Sequence, residues 1–358
     1  MTGKKITVLI CDDSAFIRQM FTEMLSAEPD IEVLDTASDP YDARAKIKAL
    51  NPDVLTLDIE MPNMDGLTFL EKIMTLRPMP VVMASSLTQK GADEAIRALE
   101  LGAVDCIGKP VSNQNRETIG SLRAELAAKI RTAAAAAVRG GRQPSSAPKP
   151  LSYRPADAQC LIAIGASTGG VEALREVFLK LPANSPPIVI AQHMPEYFTP
   201  SFAARLDSLS AVKVREAQHH MRVFPGEACL APGNAHLTIV RLGGEYVCKL
   251  DQSPLVNGHR PSVDVLFRSV ADAAGGHAVG VILTGMGKDG AEGLLRMRGK
   301  GAHTIGQNQA SCVVYGMPQA AMKLAAVCEE LPLSEIPGKM LNACEKGTGY
   351  ASRVHHAS

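Results

Sequence analysis

The chain has 358 residues, 46% hydrophobic and 21% charged, which excludes an intrinsically disordered protein and leaves room for two globular domains. Its formal net charge is zero but unevenly spread. Residues 1–111 hold 18 acidic and 11 basic side chains (net −7), residues 112–158 hold 3 and 8 (net +5), and residues 159–358 hold 16 and 18 (net +2), a pattern with no basic run dense enough for a nucleic-acid partner.

The first elements alternate strand and helix. Ile6-Thr7-Val8-Leu9-Ile10 reads as a buried strand, and the helix after it carries Ile17, Met20, Phe21, Met24 and Leu25 on one face. Val33-Leu34 with 41–50, 54–57 with 66–74, 81–84 with 92–101, and 105–107 with the following helix continue the alternation. Five βα units over residues 1–131 predict a parallel, doubly wound sheet, whose chemistry belongs at the carboxyl ends of its strands. Those ends carry Asp12, Asp13, Asp58, Ser85 with Ser86, and Lys109 before Pro110. Any one of them is explained as a solvated strand end; a matched set at successive strand ends is not. Three carboxylates at one edge repel each other unless a cation joins them, and an all-oxygen donor set implies Mg²⁺.

The motifs CDDS (11–14), LDIEMPNMDG (57–66) and GKP (108–110) closely resemble a response-regulator receiver domain over roughly residues 5–130. The resemblance implies a flavodoxin-like fold, Asp58 as phosphoacceptor and a histidine kinase as phosphodonor. It implies Asp13, Asp58 and the Glu60 carbonyl as Mg²⁺ ligands, Asp12 as the acid orienting metal-bound water, Ser85 as the switch hydroxyl and Lys109 as the phosphate-contacting cation. One departure is Cys106, where the family usually has an aromatic switch residue shortly before the lysine.

From residue 132 to 158 the composition changes. Five alanines, 133–137, are able to extend the last helix, but the Pro, Gly and Ser content of 139–150 reads as a flexible tether, either a hinge or a spacer. The eight cysteines form no C-x-x-C pair, and several sit in apolar runs as small core residues. Lys4-Lys5 leads into a short strand, not a signal peptide, and no apolar stretch reaches spanning length, so the expectation is a cytoplasmic protein without direct membrane insertion.

The α/β pattern resumes in residues 159–345, before a tail at 346–358. Leu161-Ile162-Ala163-Ile164 is a strand leading into Gly165-Ala166-Ser167-Thr168-Gly169-Gly170 and a helix. That turn fits either a phosphate cradle or a serine nucleophile. Ile188–Ala191 ends in Gln192-His193-Met194-Pro195, and a helix follows with Thr199 as N-cap and Pro200 at its first position. Short strands come next, including a hairpin of 236–241 with 246–250 across Leu242-Gly243-Gly244-Glu245. Helix 262–274, strand 279–283, helix 291–298 and a strand near 304–305 complete a doubly wound, mostly parallel sheet. Ser167, His193 and Asp289 thus lie at three strand ends, the nucleophile, base and orienting acid of a serine hydrolase. Each also has a plainer role: Ser167 as a helix cap, His193 as a strand-end histidine, Asp289 as a turn or cap residue. The order Ser, His, Asp differs from the α/β-hydrolase order, and G-x-S-x-G-G is not the dinucleotide fingerprint. A nucleotide-binding oxidoreductase and a regulatory module without chemistry remain the rival readings.

The motifs IGASTGG (164–170), QHMP (192–195), HRPSVDVLF (259–267), LTGMGKDG (283–290) and GQNQASCVVYGMP (306–318) resemble the catalytic domain of the chemotaxis protein-glutamate methylesterases. That resemblance implies Ser167 as nucleophile, His193 as base, Asp289 as its partner, the Met286 N–H as oxyanion donor and Thr168 beside the nucleophile. It also implies methylated chemoreceptor cytoplasmic domains as substrate, methanol release, glutamine deamidation by the same chemistry, no cofactor in this domain, and control by phosphorylation of the receiver.

Overall fold

The computed structural model describes residues 4–86, 88–110, 116–137, 151–154 and 159–345, in two units divided between Gln143 and Pro144. Most of the tether read at 132–158, and the tail at 346–358, lie outside the described residues.

The first unit contains β1 (Ile6–Cys11), α1 (Ala15–Ser26), β2 (Ile31–Ala37), α2 (Pro40–Leu50), β3 (Val54–Asp58), α3 (Gly66–Leu76), β4 (Val81–Ser85), α4 (Gln89–Glu100), β5 (Asp105–Gly108) and α5 (Arg116–Ala135). Its sheet runs β2-β1-β3-β4-β5, every pair parallel. The central strands are buried on both faces, so they read as continuous apolar runs. Helix starts are set by side chains: Ser14 caps α1, Asp39 caps α2 and Asp65 caps α3. The CDDS turn is fixed locally, because the Ser14 N–H donates to Asp12 Oδ1 at 2.9 Å. α5 takes in the first of the alanines, ending at Ala135.

The second unit contains β6 (Leu161–Ala166), α6 (Gly170–Phe178), β7 (Ile188–Gln192), α7 (Thr199–Leu209), β8 (Lys213–Glu216), β9 (Arg222–Val223), β10 (Glu227–Leu230), β11 (His236–Leu242), β12 (Glu245–Asp251), α8 (Val263–Ala274), β13 (Ala278–Ile282), α9 (Ala291–Gly299), β14 (His303–Gln307), α10 (Met317–Lys323), β15 (Glu329–Leu331) and α11 (Ile336–Glu345). Seven parallel strands run β15-β14-β13-β6-β7-β10-β8, and a separate antiparallel sheet runs β11-β12-β9. The strand order reverses at β6: the chain builds outward through β7 on one side, then returns to β13 on the other. A crevice at the carboxyl ends is the consequence of that switch. The hairpin forms as read, with Gly243 (φ +58) and Gly244 (φ +89) supplying the two left-handed residues its turn needs.

Three details differ from the sequence reading. Thr199 is not the cap of α7; it lies inside the helix, and its hydroxyl donates to the Glu216 carboxylate at 2.6 Å. Residues 151–154 are hydrogen-bonded within the second unit, the Leu151 N–H to Lys180 O at 2.8 Å and the Arg154 N–H to Glu345 Oε1 at 2.8 Å. Cys160 and Cys344 are joined by a disulfide across 184 residues, whereas Cys11, Cys106, Cys229, Cys248 and Cys312 are buried free thiols and Cys328 is exposed.

Candidate active site and acidic cluster

In the first unit, one carboxylate oxygen each from Asp12, Asp13 and Asp58 lie within 4.8 Å of one another, Asp12 and Asp58 buried and Asp13 exposed. Lys109 Nζ bridges the buried pair, 2.8 Å from Asp12 and 2.7 Å from Asp58. Burial pushes Asp58 up to about 6, Lys109 opposing and the Asp12 charge adding to the rise. Burial raises Asp12 as well, again against Lys109. For Lys109 burial disfavours the charge, but the two carboxylates outweigh it and hold its pKa above the ordinary lysine value. The Glu60 N–H donates to Asp58 Oδ1 at 3.1 Å, which brings the 59–60 backbone to the carboxylate. Ser85 is buried at the end of β4, and its hydroxyl donates to the Gly91 carbonyl at 2.7 Å in the first turn of α4. Cys106 is buried too, and burial pushes its thiol up to about 12, so it stands as a small neutral core group. An oxygen-only set with one open side is what a hard divalent cation takes, so these residues fit Mg²⁺.

In the second unit, β6 delivers Ser167 and β7 delivers His193. Ala166 and Gln192 are register partners, so the next residue of each strand emerges at the same edge. The His193 N–H donates to Ala166 O at 3.1 Å, and Gln192 Nε2 donates to the carbonyls of Ser167 (2.9 Å) and His193 (3.1 Å), tying the two loops together. On the other side the Ser167 N–H donates to Thr284 O at 3.0 Å. Ser167 does not cap α6: the cap position is Gly169 at φ +77, a left-handed residue that lets the chain turn beside Val313. A Cβ on Gly285 would lie 2.7 Å from Ser167 Cβ, so only glycine lets this loop reach the serine. The next residue, Met286, is exposed; Thr168 is buried.

Asp289 is 1% exposed and fully engaged. Its Oδ2 accepts from His193 Nε2 at 2.9 Å and from the Val263 N–H at 2.7 Å. Its Oδ1 accepts from Asn257 Nδ2 (2.9 Å), Ser262 Oγ (2.8 Å) and the Asp264 N–H (3.3 Å). Val263 and Asp264 open α8, so the carboxylate sits on a helix N-terminus, where negative charge is favoured. Burial alone would raise its pKa; the hydrogen bonds from His193, Asn257 and Ser262 overcome this and hold it well below the usual carboxylate range. It is not the cap of α9, a position Gly290 occupies. With Nε2 committed to Asp289, His193 keeps Nδ1, a buried atom with no hydrogen-bond partner.

Sequence reasoning did not find Asn257, His259 or the second role of Ser262. The imidazole of His259 stacks on that of His193 with centroids 3.7 Å apart and planes 9° from parallel. Asn257 and Gly258, at φ +53 and +82, form a two-residue turn closed by the Val256–His259 bridge, and this hairpin carries both side chains to the site. The Asn257-Gly258 dipeptide is the signal that marks it.

Residues 162–340 match the family described as CheB methylesterase, and residues 8–119 the response regulator receiver domain. The protein-glutamate methylesterase/protein-glutamine glutaminase of Chromohalobacter salexigens is 52% identical over 356 residues, 99% of this chain and 100% of that protein. That of Escherichia coli K12 is 54% identical over 344 residues, 96% of this chain and 98% of that one. The Thermotoga maritima CheB methylesterase catalytic domain superposes with a TM-score of 0.50 at 39% identity, covering 51% of this chain and 97% of that one. The chain belongs to the CheB methylesterase family, as a chemotaxis hydrolase whose methylesterase domain follows a response-regulator receiver domain.

Proposed function

We propose that this protein removes γ-methyl esters from glutamate residues of chemoreceptor cytoplasmic domains by a Ser167-His193-Asp289 mechanism, in the cytoplasm. The observation that carries the reading is the His193 ring: Nε2 is bonded to a deeply buried Asp289, and Nδ1 is left without a partner. Asp289 keeps the ring proton on Nε2, so Nδ1 is the lone pair that accepts the Ser167 hydroxyl proton as Oγ attacks the ester carbonyl. The Met286 N–H, with Thr168 beside it, stabilises the developing oxyanion. The imidazolium then returns its proton to the departing methoxide, releasing methanol. A water gives its proton to Nδ1, attacks the acyl-serine and regenerates Ser167 and a glutamate carboxyl. With a glutamine side chain the same sequence releases ammonia, in keeping with the glutaminase in the relatives' name.

The receiver would set the rate of this reaction. Asp58 accepts a phosphoryl group from a histidine kinase; Asp13, Asp58 and the Glu60 carbonyl, with Asp12 beside them, would hold Mg²⁺, which would screen the crowded negative charge. Lys109, already 2.7 Å from Asp58, pairs with a phosphoryl oxygen, and the Ser85 hydroxyl exchanges Gly91 for another. The test is methanol release from methylated receptor by wild type, Ser167→Ala and Asp58→Ala, each with and without a small-molecule phosphodonor. Activity surviving in Ser167→Ala sinks the nucleophile; stimulation surviving in Asp58→Ala sinks the phosphoacceptor.

A further inference from the structure

The second unit holds a cluster of sulfur that the hydrolytic chemistry does not use. Cys229 lies on β10, Cys248 on β12, and Met221 just before β9. Backbone pairing holds Met221 against Cys248: the Cys248 N–H donates to Met221 O at 2.8 Å, and the His220 N–H to Cys248 O at 2.8 Å. The Cys229 thiol donates to Met221 Sδ at 3.5 Å, and Cys229 and Cys248 are buried in one core cluster against which Met221 packs. Both thiols are fully buried, while Met221 is half-buried, with exposed His219 and His220 beside it.

A cation stands next to this cluster. Arg215 on β8 is the register partner of Cys229, which puts the two side chains on the same face of the sheet. One end of its guanidinium is 2.7 Å from Glu227, but its Nε is buried with no hydrogen-bond partner. A buried N–H without an acceptor is costly, and a thiolate is an acceptor.

We propose that Met221, Cys229 and Cys248 form a binding site for a soft monovalent metal ion, Cu(I) or its analogue Ag(I). Two thiolates and a thioether suit a soft ion of low coordination number, and they are one ligand short of, and poorly matched to, tetrahedral Zn²⁺. Uptake breaks two S–H bonds and forms two metal–thiolate bonds and one metal–thioether bond. Both protons leave to solvent and no electron moves. The metal and two thiolates carry one net negative charge, which the Arg215 guanidinium, shared with Glu227, offsets in part. Cys248, against burial and with help from Arg215, holds the Cys229 thiol below the ordinary thiol range, while Cys229 and burial hold the Cys248 thiol above it, so the first proton leaves Cys229 and the second leaves only as the metal binds. Met221 marks the entry, at the boundary between the exposed histidines and the buried thiols.

The full chain, with its Cys160–Cys344 disulfide left intact and handled without oxygen, is titrated with Cu(I) against a chromophoric Cu(I) chelator, and separately with Ag(I). Sulfur-to-metal charge-transfer absorption and metal retained after gel filtration are read. Wild type and Cys328→Ser, which removes the exposed thiol, should retain one equivalent that Zn²⁺ does not replace. Cys229→Ser and Cys248→Ser should lose it, and Met221→Leu should hold it more weakly. Met221→Leu keeps an apolar side chain of similar size, so it decides the matter where a serine variant does not fold by circular dichroism. No retained equivalent in wild type, or retention unchanged in folded Met221→Leu, overturns the site and leaves the sulfurs as core packing only.

Discussion

Asp289→Asn is the most discriminating substitution, because the buried donors around the carboxylate dictate which way the new amide must point. If the amide NH₂ takes the Oδ1 position it faces Asn257 Nδ2 and the Asp264 N–H, two donors that have no lone pair to offer. If it takes the Oδ2 position it faces only one fixed donor, the Val263 N–H, because His193 can shift its proton. The second orientation is therefore favoured, and it moves the imidazole proton from Nε2 to Nδ1, closing the lone pair that the proposed mechanism assigns to accepting the Ser167 proton. One unsatisfied buried donor costs about 1–3 kcal/mol. Loss of charge at the α8 N-terminus costs roughly 0.3–2 kcal/mol more. The fold should thus weaken by about 1–5 kcal/mol in thermal or urea unfolding. The catalytic loss should be larger: kcat for methanol release falls about 10⁴-fold, with KM little changed. The measurement is steady-state methanol release by the folded variant at saturating methylated receptor. A variant that keeps a tenth of wild-type kcat would refute both the tautomer argument and the triad.

Four further outcomes are expected. His259→Ala removes the ring stacked on His193, worth about 0.5–1.5 kcal/mol, and should lower kcat roughly 3- to 10-fold at unchanged KM. Ser262→Ala deletes one of five hydrogen bonds to Asp289 and the side-chain cap of α8, so unfolding free energy should drop by about 1–2 kcal/mol. Asp58 has its folded pKa raised from 3.8 to about 6, so the folded state binds its proton more tightly and stability falls as pH rises through that window. Asp58→Asn should abolish this fall, gaining up to about 3 kcal/mol at neutral pH in the unfolding of the receiver unit, and a flat wild-type profile between pH 4 and 6 would contradict it. Chelation of divalent ions should erase stimulation by a phosphodonor and leave basal ester hydrolysis unchanged; equal stimulation with and without EDTA would remove the metal from the proposal.

The strands and their chemical ends were legible because parallel strands buried on both faces are written as short apolar runs, and the first polar residue after each run falls at the carboxyl edge. Ser167, Asp12 and Asp58 follow directly from that rule, and His193 lies one residue beyond it, after Gln192. Asp289 is harder, seven residues beyond Ile282, and Gly287 and Gly290 carry the loop back through left-handed conformations (φ +83 and +90). Asn257 and His259 escaped because residues 252–261 have no periodicity, and their contribution comes from a hairpin whose only local mark is Asn257-Gly258. Ser262 is recognisable as a cap, since it precedes an amphipathic run, but its bond to Asp289 joins residues 27 positions apart and no local pattern encodes it. The Cys160–Cys344 pairing is more remote still: the fold brings the chain before β6 against α11, and spacing carries no trace of it. Residues 151–154 read as tether because proline and serine surround them, yet bonds from their backbone N–H groups to the Lys180 carbonyl and the Glu345 carboxylate decide their place.

Two buried aspartates at the ends of parallel strands, Asp58 and Asp289, are driven in opposite directions by their surroundings. Burial acts on both alike. Asp289 meets five donors, two of them backbone N–H groups at a helix N-terminus, so its charge is fixed. Asp58 has Lys109 and one backbone N–H, and the like charge of Asp12 beside it, so its charge is under-compensated and its pKa rises to about 6. An under-compensated carboxylate gains from any further positive charge, which is why the acidic cluster suits a divalent cation and an added phosphoryl group that Lys109 can meet. A saturated carboxylate has nothing to gain from either. The same side chain on the same kind of sheet edge therefore becomes a fixed electrostatic support in one unit and a responsive site in the other. The difference rests on the count and geometry of hydrogen-bond donors, and substitutions that alter that count, Ser262→Ala at one site and Asp58→Asn at the other, should shift stability in opposite senses.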